Sequence, residues 1–190
     1  MYPHLYKAKV APSLVTVPKF SFLMMEGEGD PNDSAYEEAV HTLFSISYAI
    51  KMYLRSNENA KPFVVAPLEC LWSALEAENR ESWSWVAMIF QPPWVTKDLV
   101  ALGCEQVAFQ NGLPTKSVMF EEQEEGLCIT KLHLGSYINE DESFSKMQTF
   151  ADDHNLVRID DVHREIYLNN PKKTADANLK TILRYRVKNI

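Results

Sequence analysis

The spacing of apolar residues changes period repeatedly along this chain, and each change predicts an element. FSFLMME, residues 20–26, is almost continuously apolar and reads as a strand, closed by the turn sequence GEGDPND. Ser34 and Glu37 then form a capping box. After them Tyr36, Val40, Leu43, Phe44, Ser47, Ile50 and Leu54 keep the spacing of one helix face until Asn57, Asn59 and Pro62 end it. Two strands follow, 63–75 (broken by Pro67) and 83–91. Thr96 caps a second helix that runs to about Gln110 and stops at Asn111-Gly112. Residues 116–122 and 126–134 read as a hairpin with a solvated Glu-rich tip, EEQEEG. Residues 143–154 form a third helix with Phe144, Met147 and Ala151 on one stripe. HREIYLN, 163–169, alternates: Ile166 and Leu168 fall on one face, Glu165 and Tyr167 on the other. Residues 171–179 suggest a short helical crossover, 181–187 a last strand, and 1–18, punctuated by Pro3, Pro12 and Pro18, an extended arm.

The resulting order is strand, helix, strand, strand; a connecting helix and strand; then strand, helix, strand, strand again. This predicts an internal duplication. The turn after FLMMEG matches the turn after KLHLG, and PLECLW matches HREIYL, so Glu69 takes the place of Glu165. The expectation is a single α+β domain over 1–190. It would hold two β-α-β-β repeats, about 19–92 and 126–190, joined by 93–125, in pseudo-twofold arrangement with antiparallel sheet. Helices would cover one side and leave a ligand cleft between the halves, with Glu69 and Glu165 facing each other across it. Parity sets Trp72 opposite to Glu69, so Trp72 reaches the cleft only if Pro67 or a bulge re-aims its strand. A carboxylate beside a tyrosine in mid-strand has two readings: an exposed sheet face, or a pocket floor, where an unpaired charge is costly.

Charge and composition remove several functions. The chain has 190 residues, a net charge of −7 and 46% hydrophobic residues, which is enough for a real core and too acidic for backbone-directed nucleic-acid binding. Its basic cluster, Lys172, Lys173, Lys180, Arg184, Arg186 and Lys188, reads as a solvated strand face. Cys70, Cys104 and Cys128 are odd in number and form no CxxC pair. The histidines, His4, His41, His133, His154 and His163, lack HxxxH spacing, so no metal and no disulfide framework is expected. His133 fits a structural histidine and Asp30 a turn acceptor. GEGD, flanked by acids and followed by no GK[ST], is not a phosphate loop. No signal peptide opens the chain and no apolar run reaches membrane-spanning length, so a cytoplasmic protein without membrane partners is expected.

At PSLVTVPKF, FLMMEGEGDPN, APLECLW, LHLGSY and HREIYLNNPKKTADANLKTILR the chain resembles the GyrI-like small-molecule-binding domain family, in its stand-alone branch, over about residues 12–187. The resemblance implies two β-α-β-β modules with a ligand cleft between them. It implies lipophilic, often aromatic or cationic ligands, and in some stand-alone relatives hydrolysis of cyclopropanoid alkylating agents as a form of detoxification. It implies Glu165 as the cleft carboxylate, Tyr167 as its neighbour, and Glu69 with Trp72 as the opposing wall, with Tyr137 closing the LHLGSY turn. Three positions depart from the family pattern: Cys70 stands where glycine is expected, Ser73 where a second aromatic is frequent, and His163-Arg164 where two histidines are common. The arm before the first strand is too short for a helix-turn-helix.

Hydrolysis of a strained ring needs a carboxylate base, for which Glu165 and Glu69 are the candidates, and a donor to the developing phenolate, for which Tyr167 is the candidate. It also needs flat walls; Trp72, Trp85, Trp94, Tyr137 and Phe90 are candidates, although core packing is an equal fate for each tryptophan. No cofactor is required. A non-enzymatic drug-binding or sequestering module, and an inhibitor of a DNA-processing enzyme, remain as alternatives.

Overall fold

The computed structural model describes residues 6–56, 61–74 and 82–190; Pro3, His4, Asn57, Asn59 and Leu75 lie outside them. Among the described residues the chain forms nine strands, paired antiparallel within two compact units, and three α-helices. One unit comprises 19–56, 61–68 and 82–123, the other 6–18, 69–74 and 124–190.

The first unit is built on β2 (Phe20–Glu28), flanked by β4 (Trp83–Gln91) and β5 (Met119–Gln123). One face of β2 and β4 carries Leu23, Met25, Gly27, Trp85, Ala87, Ile89 and Gln91. α1 (Ser34–Arg55) covers this face with Leu43, Ile46 and Ile50. The Gln91 side-chain amide donates to Ser47 Oγ of α1 at 2.9 Å. On the other face Phe90 stands edge-on to Phe20 and Phe22. α2 (Lys97–Asn111) has the caps its sequence predicts: Thr96 Oγ1 accepts from the Leu99 amide, and Gly112 takes the left-handed conformation at φ 67°. α2 packs on α1 through Gly103, where a Cβ would stand 3.0 Å from Ile50 Cγ1. α1 begins at Ser34 with Asp33 as its N-cap, so Ser34 lies one position inside the expected capping box.

The second unit comprises β1 (Ser13–Val17), β3 (Glu69–Ala74), β6 (Gly126–Leu134), α3 (Glu140–Asp153), β7 (Leu156–Arg158), β8 (His163–Tyr167) and β9 (Lys180–Asn189). Its sheet runs β1-β6-β9-β8-β3, with β7 along the far end of β9. Strand registers sort its side chains onto two faces. Ile129, Leu183, Tyr185 and Val187 share a face with Glu165, Tyr167, Cys70 and Trp72, and α3 packs there through Met147 and Ala151. Arg164, Arg184, Glu69 and Ile166 take the opposite face.

Several expectations are corrected. Residues 116–134 make no hairpin: β5 pairs with β2, while β6 pairs with β1 and β9. The arm supplies β1, whose alternating SLVTV pairs with β6. Residues 61–68 are not strand, as Pro62 and Pro67 disfavour a ladder there. The 171–179 crossover holds only a short turn of 3₁₀ helix at Asp176–Asn178. Arg184 is buried rather than solvated, because the middle of β9 is covered on both faces.

Candidate functional site

Both faces of the β3–β8 pair carry charge, and the two charge clusters differ in kind. In this antiparallel pair Cys70 opposes Glu165, Trp72 opposes His163, and Glu69 opposes Ile166. Directly opposed residues project to the same side of a sheet, so Trp72, His163, Glu165 and Tyr167 share the α3 face. Trp72 reaches Glu165's side with no bulge needed. Glu69 and Glu165 do not face each other; they point from opposite faces of one sheet, which corrects the expected opposition. Aligning PLECLW with HREIYL along the chain overlooks that antiparallel pairing inverts which residues become neighbours.

On the α3 face Glu165 is 8% exposed. His163 Nε2–H donates to Glu165 Oε1 at 3.0 Å, and the imidazole makes a T-shaped contact with Phe144 of α3, with ring centroids 4.9 Å apart. Glu140, in the first turn of α3, comes against Glu165. Its Oε1 is enclosed and has no donor on it. Burial, then the Glu165 charge and a hydrogen bond to Glu165, with a further push from Asp141, raise the Glu140 carboxyl to about 9. Two ionised carboxylates have only acceptor oxygens to offer each other, so Glu140 keeps its proton at neutral pH and donates it to Glu165. The pair is a neutral acid hydrogen-bonded to a carboxylate. Beside it, Trp72 Nε1–H donates to Tyr167 Oη at 3.0 Å, and Tyr137 stands edge-on to Tyr167 with centroids 6.0 Å apart. Burial, then Glu165, Glu140 and Asp176, push the Tyr137 phenol up to about 12. Glu165 thus has Glu140, His163 and Tyr137 around it, and the indole of Trp72 strengthens Tyr167 as a donor.

The opposite face holds a closed network. Glu69 Oε1 accepts from the Tyr6 hydroxyl at 2.7 Å and Oε2 from Arg164 Nη1 at 2.6 Å. Glu125 contacts Arg164 Nε at 3.2 Å and Arg184 Nη1 at 3.0 Å. Glu69, Arg164 and Arg184 are each at most 3% exposed. Burial, and then Glu69, drive the Tyr6 phenol above its usual range. Both carboxylates are compensated by guanidinium, the condition under which buried charge is tolerated. Glu125 belongs to the EEQEEG run expected as a solvated tip; its side chain is instead buried between two arginines.

Trp85, Phe90 and Trp94 belong to the first unit. Trp85 is 3% exposed, seated over Gly27, where a Cβ would fall 2.3 Å from the indole, and edge-on to Tyr36 of α1. Phe90 packs with Phe20 and Phe22. Lys61 Nζ lies 5.8 Å from the Trp94 ring centroid. Trp85 and Phe90 are core packing, while Trp72, Tyr137, Glu165 and Tyr167 come together. Sequence reasoning missed His163 and Glu140. The period of HREIY already sets His163 on the face of Glu165. Glu140 offered no comparable signal, since an acidic first turn is what any helix N-terminus favours. Among the described residues no group of three or more His, Cys, Asp or Glu is arranged to hold a metal ion, and no helix is long and apolar enough to cross a membrane.

The fold recurs in known proteins. An uncharacterized conserved protein from Listeria innocua superimposes with a TM-score of 0.93 at 31% identity, covering 98% of this chain and 97% of that one. A hydrolase from Listeria innocua gives 0.91 at 31% identity, covering 98% and 96%. The C-terminal domain of EcmrR shares the fold alone, with a TM-score of 0.59 at 11% identity over 94% of this chain and 98% of that one. No curated protein matches at a significant level. The model of the GyrI-like small molecule binding domain matches residues 11–188, and the chain belongs to that family.

Proposed function

We propose that this protein binds lipophilic, planar small molecules against Trp72, Tyr137 and Tyr167, and hydrolyses strained cyclopropanoid electrophiles with Glu165 as the base. The single observation that carries the reading is the acid–carboxylate pair of Glu140 and Glu165 beside Tyr167. A pair of carboxyls whose environments separate their proton affinities is how one site holds a base and an acid at the same pH. Glu165 takes a proton from water as the water oxygen bonds to the ring carbon. The ring C–C bond breaks, and its electrons pass into the conjugated system, where a phenolate forms. Tyr167 donates a hydrogen bond to that developing charge. Glu140, by donating to Glu165, orients the base and limits its strength, and His163 holds Oε1 of the same carboxylate. Glu69 has no part in this step and serves the buried arginine network. The Listeria hydrolase supports a hydrolytic reading, and the acidic balance of the chain argues against a nucleic-acid ligand.

The test is incubation with a cyclopropanoid alkylator, followed by mass spectrometry for a water-added product. Glu165→Gln should lower turnover by at least ~10²-fold, the low end for general-base catalysis, with affinity, read by tryptophan quenching, nearly unchanged. Quenching without any water-added product would leave a sequestering module. Turnover that survives Glu165→Gln would remove Glu165 as the base.

A further inference from the structure

The polar groups where α3 meets β6 share the sheet face of Glu165, with β9 between them and β8, and line a depression of their own. Lys131 and His133 of β6 and Ser143 of α3 are each at most 4% exposed, at 4%, 4% and 4%. His133 Nε2 lies 3.0 Å from the Ser136 carbonyl oxygen. A carbonyl only accepts, so Nε2 carries a hydrogen, and in the tautomer whose single proton sits there Nδ1 presents a lone pair. Nδ1 lies 2.9 Å from Ser143 Oγ, and in that tautomer the hydroxyl is the donor. Lys131 Nζ donates to the same oxygen at 3.1 Å and to the Leu132 carbonyl at 3.2 Å. The order is a hydroxyl on a base, the base held in one tautomer by a carbonyl, and a cation on the hydroxyl oxygen. All three residues are among those lining a half-open depression of about 230 Å³, shared with Asn139, Glu142 and Lys146; Glu165, Glu140 and His163 are not among its walls.

We propose that Ser143 is a nucleophile activated by His133 and Lys131, in a second site that takes small activated acyl esters. A serine hydroxyl is a weak nucleophile unless a base removes its proton as it attacks, and His133 Nδ1 is within hydrogen-bond reach to do so. Ser143 Oγ bonds to the acyl carbon while its proton passes to His133 Nδ1. The bond from that carbon to the leaving oxygen breaks, and the leaving group takes the proton from Nδ1. Water then attacks the acyl-serine, gives its proton to Nδ1, and Ser143 Oγ departs with that proton, releasing a carboxylic acid. Lys131 stabilises negative charge on the serine oxygen as it grows. Burial, then the charge of Lys146, hold the Lys131 amine below the usual lysine range, and an anion forming beside it would relieve both. A network needed only to anchor α3 could do so with Ser143 and His133 alone; burying an ammonium against a serine oxygen costs desolvation that a hydroxyl anchor does not require.

The experiment treats the whole protein with diisopropyl fluorophosphate and, separately, with 4-nitrophenyl acetate, then maps the modified residue by peptide mass spectrometry. One diisopropylphosphoryl group on Ser143 is expected. Nitrophenol release should fall by at least ~10²-fold in His133→Ala, the range for loss of a general base. Modification only at other residues, acetylation of Lys131 instead of Ser143, or no adduct after exhaustive incubation would overturn the proposal. The mapping uses the unaltered chain, so it decides the question even where a variant fails to fold.

Discussion

Replacing Glu140 by Gln tests the central electrostatic claim without touching the shape of the site. In the folded protein the Glu140 carboxyl is raised from 4.5 to about 9, by burial and then by Glu165. A group whose folded pKa is raised contributes stability that is fully present below its unfolded value and lost as pH climbs through the folded one. The window therefore runs from about pH 4.5 to about pH 9. Across it the native state holds up to one proton more than the unfolded chain. One proton is worth about 1.4 kcal/mol per pH unit, so the parent should lose at most about 2.7 kcal/mol from this group between about pH 6 and 8. The amide introduced by Glu140→Gln keeps a donor for Glu165 and has no proton to lose. The variant should match the parent near pH 5 and exceed it at pH 9, and the difference should grow steadily between. Urea unfolding of both proteins at intervals from about pH 5 to 9 measures this directly, since other titrating groups cancel in the difference. Parallel stability curves over that range would refute the shared-proton pair, and with it the acid–base reading of the site.

Two further outcomes follow from placement. Glu69→Gln should destabilise the protein by about 3 kcal/mol in urea unfolding, the lower end for breaking a buried ion pair because Glu125 still faces Arg164, while ligand quenching stays unchanged; weaker ligand binding at unaltered stability would return Glu69 to the ligand site. Gly103→Ile should cost about 1–3 kcal/mol by overpacking, since a bare Cβ there already meets Ile50 and Ile46 at 3.0 and 3.3 Å; an unchanged unfolding midpoint would show that α1 and α2 can separate freely.

What the sequence discloses depends on whether the controlling interaction is local. The three helices and the strand at Glu165 are legible because periodicity, caps and glycine stops act within a few residues: Thr96 and Gly112 bound α2 as their chemistry requires. The partners of each strand are not, because pairing is decided by sheet registers far apart in sequence. The 116–134 segment looks like a hairpin from its turn alone, yet β5 and β6 find different neighbours. The same distinction separates the two glutamates. Matching HREIYL with PLECLW aligns Glu165 and Glu69 along the chain, but the fold pairs Glu165 with Cys70. One residue of register places a side chain on the other face of a sheet. Glu69 thereby joins Arg164 and Tyr6 instead of the site. The departure at His163-Arg164 carries the point to its chemical end. His163 and Arg164 are adjacent in sequence and serve opposite faces: His163 meets the candidate base at 3.0 Å, and Arg164 neutralises the carboxylate that the alignment with HREIYL assigns to the same task.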